Sequence, residues 1–320
     1  MHTRDAALLV RLLVAFLGAV GFVCVVFAAT QARAVPAPGQ IAYPGNGKIY
    51  LIDATGTNRQ TLVSDPKLRV DEWGGVSWSR DAKQIAFTVG HHMDGAYYGS
   101  TLRLYLAAGD GTNPRPLTGT ARGSFDPTWS PDNSRIAFAT RTATRTTISV
   151  IGVDGQGLRT LASSTNPRDF YWVPDWSPDG SWILFEIGHL NAVQAQLMAV
   201  RPDGTGLHQV TAIAVGNHCI CADWSPDGDR IAYQAPGKPV KYDYPEIWVM
   251  NADGTGRVQL TANQTRDENP DWSPDGTRLA FYSERVGNAE IYVIPATGGQ
   301  AKRVTHDPWY DGPPRWRPVD

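Results

Sequence analysis

The sequence predicts an all-β protein, a six-bladed β-propeller whose blades are four-stranded antiparallel sheets. The hexapeptide DWSPDG occurs three times, beginning at residues 175, 223 and 271, so each copy starts 48 residues after the last. A tryptophan marks six positions at this approximate spacing: Trp78, Trp129, Trp176, Trp224, Trp272 and Trp316. A repeat of this length is typical of a structural unit, whereas a protein needs a catalytic motif only once.

The composition fits many short strands joined by tight turns. The chain has 320 residues, among them 32 Gly, 23 Pro and 11 Trp, and long helix-forming runs are missing. This length suits two domains or one closed array of repeats. The formal net charge of −2 provides no basic field, so we expect no nucleic-acid partner.

One repeat shows how the four strands follow each other. The segment 269–305 divides into PDWSP, RLAFYS, AEIYVIP and QAKRVT. In the turn S-P-D-G, Pro presets φ, Asp favours turns, and Gly supplies the left-handed position that closes a three-residue hairpin. Asn133 suits the same position. Ala82 does not, so we expect a different turn after Trp78.

The two ends of the chain supply the sixth blade. Residues 40–64 contain candidates for a second, third and fourth strand without a first, and the C-terminal PPRWRPVD contains a first strand. The C-terminal inner strand therefore joins the N-terminal strands. This pairing closes the ring and removes exposed sheet edges.

Residues 1–34 have the features of a signal peptide. Arg4 and Arg11 precede or border an apolar run from Leu12 to Ala29, and Ala32-Arg33-Ala34 fits the small-x-small rule for cleavage. An uncleaved membrane anchor is the alternative, and only then do we expect contact with a membrane. Both interpretations export the predicted propeller, residues 35–320, to the periplasm, the cell surface or the medium.

The repeat pattern DxxxxWSPDGxxIAF followed by IYVMNADGTGxxQLT resembles the WD-like (WSPDG) repeat of TolB-type propellers. The resemblance covers the predicted propeller and implies six blades. It leaves the function open, because TolB has an N-terminal α/β domain for which we expect no room here. Similar repeats also form the propellers of prolyl-oligopeptidase-like peptidases and of secreted carbohydrate-active lyases.

No catalytic arrangement is evident in the repeats. The G-x-S-x-G elbow of a hydrolase is absent, and a Ser and Asp copied in five blades indicate turn chemistry. Asp175, Asp223 and Asp271 directly precede their tryptophans. We expect each to accept a hydrogen bond from a neighbouring blade. The alternative is part of a cation-binding ring, which Ser, Thr and Arg in the other blades leave incomplete.

The best candidate for a binding site is one face of the ring. Loops after the second and fourth strands of each blade emerge there, and we call it the long-loop face. These loops carry most aromatic and His residues outside the strand pattern, and such loops on a rigid scaffold commonly bind partners. The candidate ligand-binding residues are Trp73, His91, His92, Tyr97, Tyr98, Tyr171, Trp172, His218, Tyr242, Tyr244, Trp309 and Tyr310.

We therefore expect an exported, non-catalytic propeller that binds a protein, peptide or glycan at the long-loop face, without a metal or cofactor. The alternative is a secreted lyase or hydrolase that acts on a carbohydrate through His and carboxylates at the mouth of the channel. Five histidines lie on loops of this face but lack metal-ligand spacing. They are His91, His92, His189, His218 and His306.

Overall fold

The described part of the chain forms six four-stranded antiparallel sheets, the blades of one propeller. The computed structural model describes residues 39–90, 101–119, 123–189, 194–214, 221–237 and 244–319. Within these ranges no helix is long and apolar enough to cross a membrane. The signal peptide lies outside them and stays a prediction.

The strands follow the repeat closely, beginning with the three N-terminal strands of blade 1. In chain order they are β1 (Gln40–Gly45), β2 (Lys48–Asp53), β3 (Gln60–Val63), β4 (Val76–Trp78), β5 (Gln84–Val89), β6 (Arg103–Ala108), β7 (Arg115–Pro116), β8 (Ser124–Trp129), β9 (Arg135–Arg141), β10 (Thr146–Gly152), β11 (Arg159–Ser164), β12 (Asp169–Trp176), β13 (Ile183–His189), β14 (Gln194–Val200), β15 (His208–Ala214), β16 (Asp223–Trp224), β17 (Arg230–Pro236), β18 (Pro245–Asn251), β19 (Val258–Gln259), β20 (Asp267–Trp272), β21 (Arg278–Ser283), β22 (Glu290–Pro295), β23 (Lys302–Arg303) and β24 (Arg315–Trp316). Strands β4 to β23 form blades 2 to 6, four strands to a blade.

Blade 1 is shared between the two ends of the chain, as the sequence predicts. Its strand order is β24-β1-β2-β3, with Trp316 opposite Ile41 and Arg315 opposite Ala42. The Arg317 N–H also donates to the Gln40 carbonyl at 2.7 Å. The predicted closure of the ring is confirmed.

The repeated tryptophans lie between blades. Each of the six apolar clusters that join neighbouring blades contains one of them, and five are only 4–6% exposed. Four of the rings also carry a guanidinium at 4.5–5.1 Å from their centroids: Arg317 over Trp78, Arg135 over Trp176, Arg230 over Trp272 and Arg278 over Trp316. Their recurrence therefore has a structural cause.

The S-P-D-G turn is held by its own side chains. The Ser273 hydroxyl donates to Asp275 at 2.6 Å, and Gly276, at φ 66°, donates its N–H to the Ser273 carbonyl at 2.8 Å. The expectation of a different turn at Ala82 is wrong. Ala82 adopts φ 52° and makes the same backbone bond to Ser79 at 2.8 Å, because the hydrogen bonds of the turn outweigh the cost of a Cβ in this conformation.

Candidate functional site

On the long-loop face, two segments of the chain meet beside blade 1. Segment 64–75 joins β3 to β4, and segment 304–314 joins β23 to β24. Six of the twelve candidate residues fall outside the described ranges: His91, His92, Tyr97, Tyr98, His218 and Tyr242. Their role in binding stays a prediction.

The structure brings two of the described candidates together at the surface. Trp73 is 45% exposed and Tyr310 is 41% exposed. Their ring centroids lie 6.3 Å apart at an interplanar angle of 49°. Trp73 also makes a T-shaped contact with the buried Tyr282 ring, with the two ring centroids 6.0 Å apart. We call Trp73 and Tyr310 the exposed aromatic pair.

Backbone hydrogen bonds fix the segment that carries Trp73. Val70 donates to the Gly47 carbonyl at 3.1 Å and Asp71 donates to the Thr88 carbonyl at 2.9 Å, so the segment is tied to blades 1 and 2. The Asp71 carboxylate accepts the Trp73 N–H at 3.0 Å. Close packing on blade 2 leaves no room for a Cβ at the next residue, Gly74. Trp73 is therefore presented on a rigid support.

The segment that carries Tyr310 is fixed as firmly. Asp311 donates its N–H to the Ala289 carbonyl at 3.1 Å, and Gly312 donates to the Pro44 carbonyl at 2.8 Å. The neighbouring Trp309 stacks on Tyr50 at 6.0 Å and is half-buried. Tyr310 thus projects from a backbone that is bonded to blades 1 and 6.

A carboxylate lies below the exposed aromatic pair. The Tyr282 hydroxyl donates to Glu268 Oε2, and the Arg266 guanidinium pairs with Glu268 Oε1 at 3.3 Å. Glu284 lies near the same guanidinium, and burial raises its pKa while Arg266 lowers it. Two glutamates thus share one arginine at this part of the face.

A polar cleft of about 490 Å³ opens beside Glu72, the residue before Trp73. It lies between the β1–β2 turn and segment 64–75. Its charged lining residues are Lys48, Asp65, Arg69 and Glu72.

The remaining described candidates lie elsewhere. Tyr171 is 8% exposed and packs on Phe185 at 5.7 Å within the core between blades 3 and 4. Trp172 is half-buried and stacks on Phe170 at 4.4 Å. Tyr244 is 38% exposed. Tyr171 and Trp172 lie in β12 of blade 4, whereas the exposed aromatic pair lies beside blade 1.

The repeated aspartates join neighbouring blades. The backbone N–H of Trp224 donates to Asp175 at 2.9 Å, and that of Trp272 donates to Asp223 at 2.9 Å. Asp271 binds Trp316 in the same way and pairs with Arg315 at 3.3 Å. The expectation of inter-blade hydrogen bonds is confirmed, and the chain supplies its own cation at this level.

Enclosure shifts the titration of these carboxyl groups. Burial raises the pKa of Asp175 to about 8, and the charge of Asp223 adds to the rise. Burial also raises the pKa of Asp223 to about 6, against the opposing effect of Arg315. A channel cavity lined by Asp126, Asn269 and Arg315 leaves about 20 Å³, which is room for about one water molecule.

Five residues with a left-handed backbone, in or just before the inner strands, were not predicted from the sequence. Each lies three positions before one of the repeated tryptophans that pack between blades, which we call the seam tryptophans. The φ values run from 41° to 74°. In blades 3, 4 and 6 the strand register shifts at this point, so the residue sits in a bulge. Proline two positions before the tryptophan is the pattern that accompanies most of these bulges. The residues are Gly75, Asp126, Val173, Cys221 and Asn269.

Three of the five candidate metal-binding histidines lie outside the described ranges: His91, His92 and His218. Of the five candidates, His189 contacts Asp169 at 2.7 Å, and His306 is exposed. Among the described residues, no three His, Cys, Asp or Glu side chains are placed to hold a metal ion. Cys221 is buried, and Cys219 lies outside the described residues.

Known proteins resemble this chain in sequence. A family model described as the TolB beta propeller domain matches residues 198–320. An uncharacterized protein of Agrobacterium fabrum, Atu1656, is 28% identical over 226 residues, 65% of this chain and 71% of the relative. The TolB homolog of Chlorobium luteolum is 27% identical over 159 residues, 49% of this chain. The match spans only 33% of that homolog's length.

Solved structures resemble it in fold. TolB from Acinetobacter baumannii has a TM-score of 0.68 at 16% identity, covering 88% of this chain and 67% of that chain. An oligogalacturonate lyase from Vibrio parahaemolyticus has a TM-score of 0.57 at 14% identity, covering 81% and 76%. At such identities the likeness shows the fold alone. The matched family model, the relatives and the six-bladed architecture together show that the described part of this chain is similar to TolB-type β-propellers.

Proposed function

We propose that this chain is an exported, non-catalytic propeller that binds a protein partner at the long-loop face through Trp73 and Tyr310. The observation that carries the proposal is the exposed aromatic pair itself. Two large rings, 45% and 41% exposed, stand 6.3 Å apart on two separately anchored segments. Large exposed aromatic residues are enriched among those that dominate binding energy.

The anchoring of both segments supports binding over a purely structural role. A loop that is ordered before the partner arrives loses less conformational entropy on association. The backbone bonds of Val70, Asp71 and Gly312 provide this order. The cleft of about 490 Å³, which Glu72 lines, offers polar groups beside the segment that carries Trp73, and polar groups around apolar anchors are common in protein interfaces.

Two relatives and the N-terminal sequence support the class of partner and the compartment. The relatives, 30% identical over 120 residues, are named as TolB proteins of the Tol-Pal system, and a place in a system of several proteins favours a protein partner over a small substrate. The signal-peptide features of residues 1–34 support export. The carbohydrate-active alternative depends on five histidines, of which three lie outside the described residues, and on a fold likeness to a lyase at 14% identity.

Selection of peptides on the purified protein tests this function. Peptides enriched from a random display library should bind the wild type, and Trp73→Ala with Tyr310→Ala should weaken their binding by about 30-fold if the rings dominate the interface. Thr205→Ala and Thr255→Ala, in turns of the opposite face, serve as controls and should bind normally. Thermal melts must show that all variants fold.

The outcomes separate the candidate functions. Selected peptides that bind the aromatic variants as well as the wild type would refute the assignment of the face. Binding to a glycan array, lost in the same aromatic variants, would instead support a glycan ligand at the same rings.

A further inference from the structure

The residue before Trp73 in the chain carries a carboxylate without a partner among the described residues. Glu72 precedes Trp73, is half-buried and lines the polar cleft. Among the described residues its carboxylate has no hydrogen-bond or ion-pair partner. Its backbone packs on the Tyr310 segment, since a Cβ on Gly312 would lie 2.0 Å from the Glu72 carbonyl oxygen. Glu72 therefore sits where the two segments meet.

At another place in this protein, two aromatic rings and a carboxylate hold an arginine side chain. The Arg59 guanidinium lies 4.1 Å from the Tyr50 centroid and 5.3 Å from the Trp309 centroid. Its Nη1 lies 2.8 Å from Asp307. A guanidinium suits such a site because it stacks flat on a ring while its N–H groups reach a carboxylate.

The exposed aromatic pair has the same groups without the cation. Trp73, Tyr310 and Glu72 repeat the combination of indole, phenol and carboxylate found around Arg59. Within the described ranges, no guanidinium lies over Trp73 or Tyr310. Both rings are partly exposed to solvent, so a partner can contact them.

Charge around the pair also favours a cationic group. Below it, Glu268 and Glu284 share Arg266, which leaves an excess of carboxylate on that side. The cleft contains Lys48 and Arg69 as well as Asp65 and Glu72, so the cleft as a whole is neutral. Selectivity must therefore come from the position of Glu72 next to Trp73.

We propose that Glu72, Trp73 and Tyr310 form a binding site for an arginine side chain of the protein partner. This inference rests on the proposed function and specifies its chemistry. Arginine is favoured over lysine because the planar guanidinium is more weakly hydrated and stacks on rings while it pairs with a carboxylate. The partner's guanidinium stacks on the exposed aromatic pair and donates to the Glu72 carboxylate.

Fluorine NMR on protein labelled with 5-fluorotryptophan tests the site with defined probes. The Trp73 line is assigned by its loss in Trp73→Phe. The probes are N-acetyl-arginine amide and its neutral isostere N-acetyl-citrulline amide, at matched ionic strength. The arginine probe should shift the Trp73 line in a saturable way, and the citrulline probe should bind about fivefold more weakly.

Two carboxylate variants locate the charge that matters. Glu72→Gln should weaken the arginine probe about threefold, because the ion pair is partly exposed. Asp65→Asn, the matched change at the other cleft carboxylate, should leave the titration unchanged. An unmoved Trp73 line, or equal affinity for the arginine and citrulline probes, would overturn the arginine site.

The display experiment distinguishes failure of this inference from failure of the proposed function. Selected peptides should contain arginine, and its replacement by citrulline should weaken binding to the wild type but not to Glu72→Gln. Peptides without arginine that still lose affinity in Trp73→Ala would reject the arginine site and keep the protein-binding face. Peptides insensitive to Trp73→Ala would reject both.

Discussion

The Asp271 carboxylate of blade 6 accepts a hydrogen bond of 2.6 Å from the backbone N–H of Trp316 in blade 1. Asp175 and Asp223 bind the next blade's tryptophan in the same way. The seam that closes the ring is therefore built like two of the seams inside it. A distinctive feature is Arg315, whose guanidinium lies 3.3 Å from the same Asp271 carboxylate.

Removal of the Asp271 carboxylate should weaken ring closure. Asp271→Ala leaves the Trp316 N–H without an acceptor and removes the partner of Arg315, so we expect a loss of about 2–4 kcal/mol in the free energy of unfolding. Asp271→Asn keeps an acceptor and should cost about 1 kcal/mol. Urea unfolding measures both, with the exposed Asp229→Ala as control. Equal stability of Asp271→Ala and the control would contradict this role.

The fold could be predicted because its signals are local and repeated. The turn chemistry of Ser273, Asp275 and Gly276 fixes each first hairpin, and the tryptophan fixes each seam. Ala82 shows where this reasoning failed. The sequence ranks residues by their preference for a left-handed backbone, but it does not show how strongly the surrounding hydrogen bonds enforce that conformation.

Ala82→Gly should stabilise the protein. Ala82 holds φ 52°, where an L-residue is disfavoured by about 1–2 kcal/mol and glycine is not. Part of the gain is offset by the greater freedom of glycine in the unfolded chain, which leaves about 1 kcal/mol. The companion change Gly276→Val, at φ 66° with nothing closer than 3.9 Å to a new Cβ, should cost about 1–3 kcal/mol. Thermal and urea unfolding compare the two, and a destabilised Ala82→Gly would show that the turn does not strain Ala82.

The stability of the protein should fall as the pH rises, because Asp175 stays protonated in the folded state. Burial, then the Asp223 charge, raises its pKa from 3.8 to about 8, so the folded state holds a proton that the unfolded state releases. This stabilisation is complete below about pH 4 and is lost between about pH 4 and 8, at up to about 1.4 kcal/mol per pH unit. Asp175→Asn keeps an acceptor for Trp224 and should be more stable than the wild type at pH 8.

Asp179→Asn is the control of opposite sign for this titration. The Ser177 hydroxyl lowers the pKa of Asp179, so its ionised form favours folding at pH 8. Its replacement should lose stability at pH 8 and change little in acid. Urea titrations across pH 4 to 8 should give a flatter profile for Asp175→Asn than for the wild type. Parallel profiles would refute the raised pKa.

The sequence did not distinguish exposed from buried aromatic rings at the candidate site, for a physical reason. Trp73 and Tyr171 both lie five residues before a seam tryptophan, Trp78 and Trp176, so the repeat gives them equivalent positions. Trp73 is 45% exposed, whereas Tyr171 is 8% exposed. Whether such a ring is buried depends on the loops around it. These loops differ in sequence from blade to blade, so the repeat does not predict how they pack.

Stability measurements should separate these two equivalent aromatic positions. Tyr171 packs on Phe185 inside a core cluster, so Tyr171→Ala should lower the free energy of unfolding by about 3 kcal/mol through the cavity that it leaves. Tyr171→Phe retains the ring and should cost less than about 1 kcal/mol. Trp73→Ala removes a ring that is nearly half in solvent, and we expect a loss of about 1 kcal/mol or less. If urea unfolding instead showed the larger loss of stability for Trp73→Ala, the main role of Trp73 would be to pack against Tyr282. Weaker peptide binding by Trp73→Ala could then not be assigned to a lost contact with the partner.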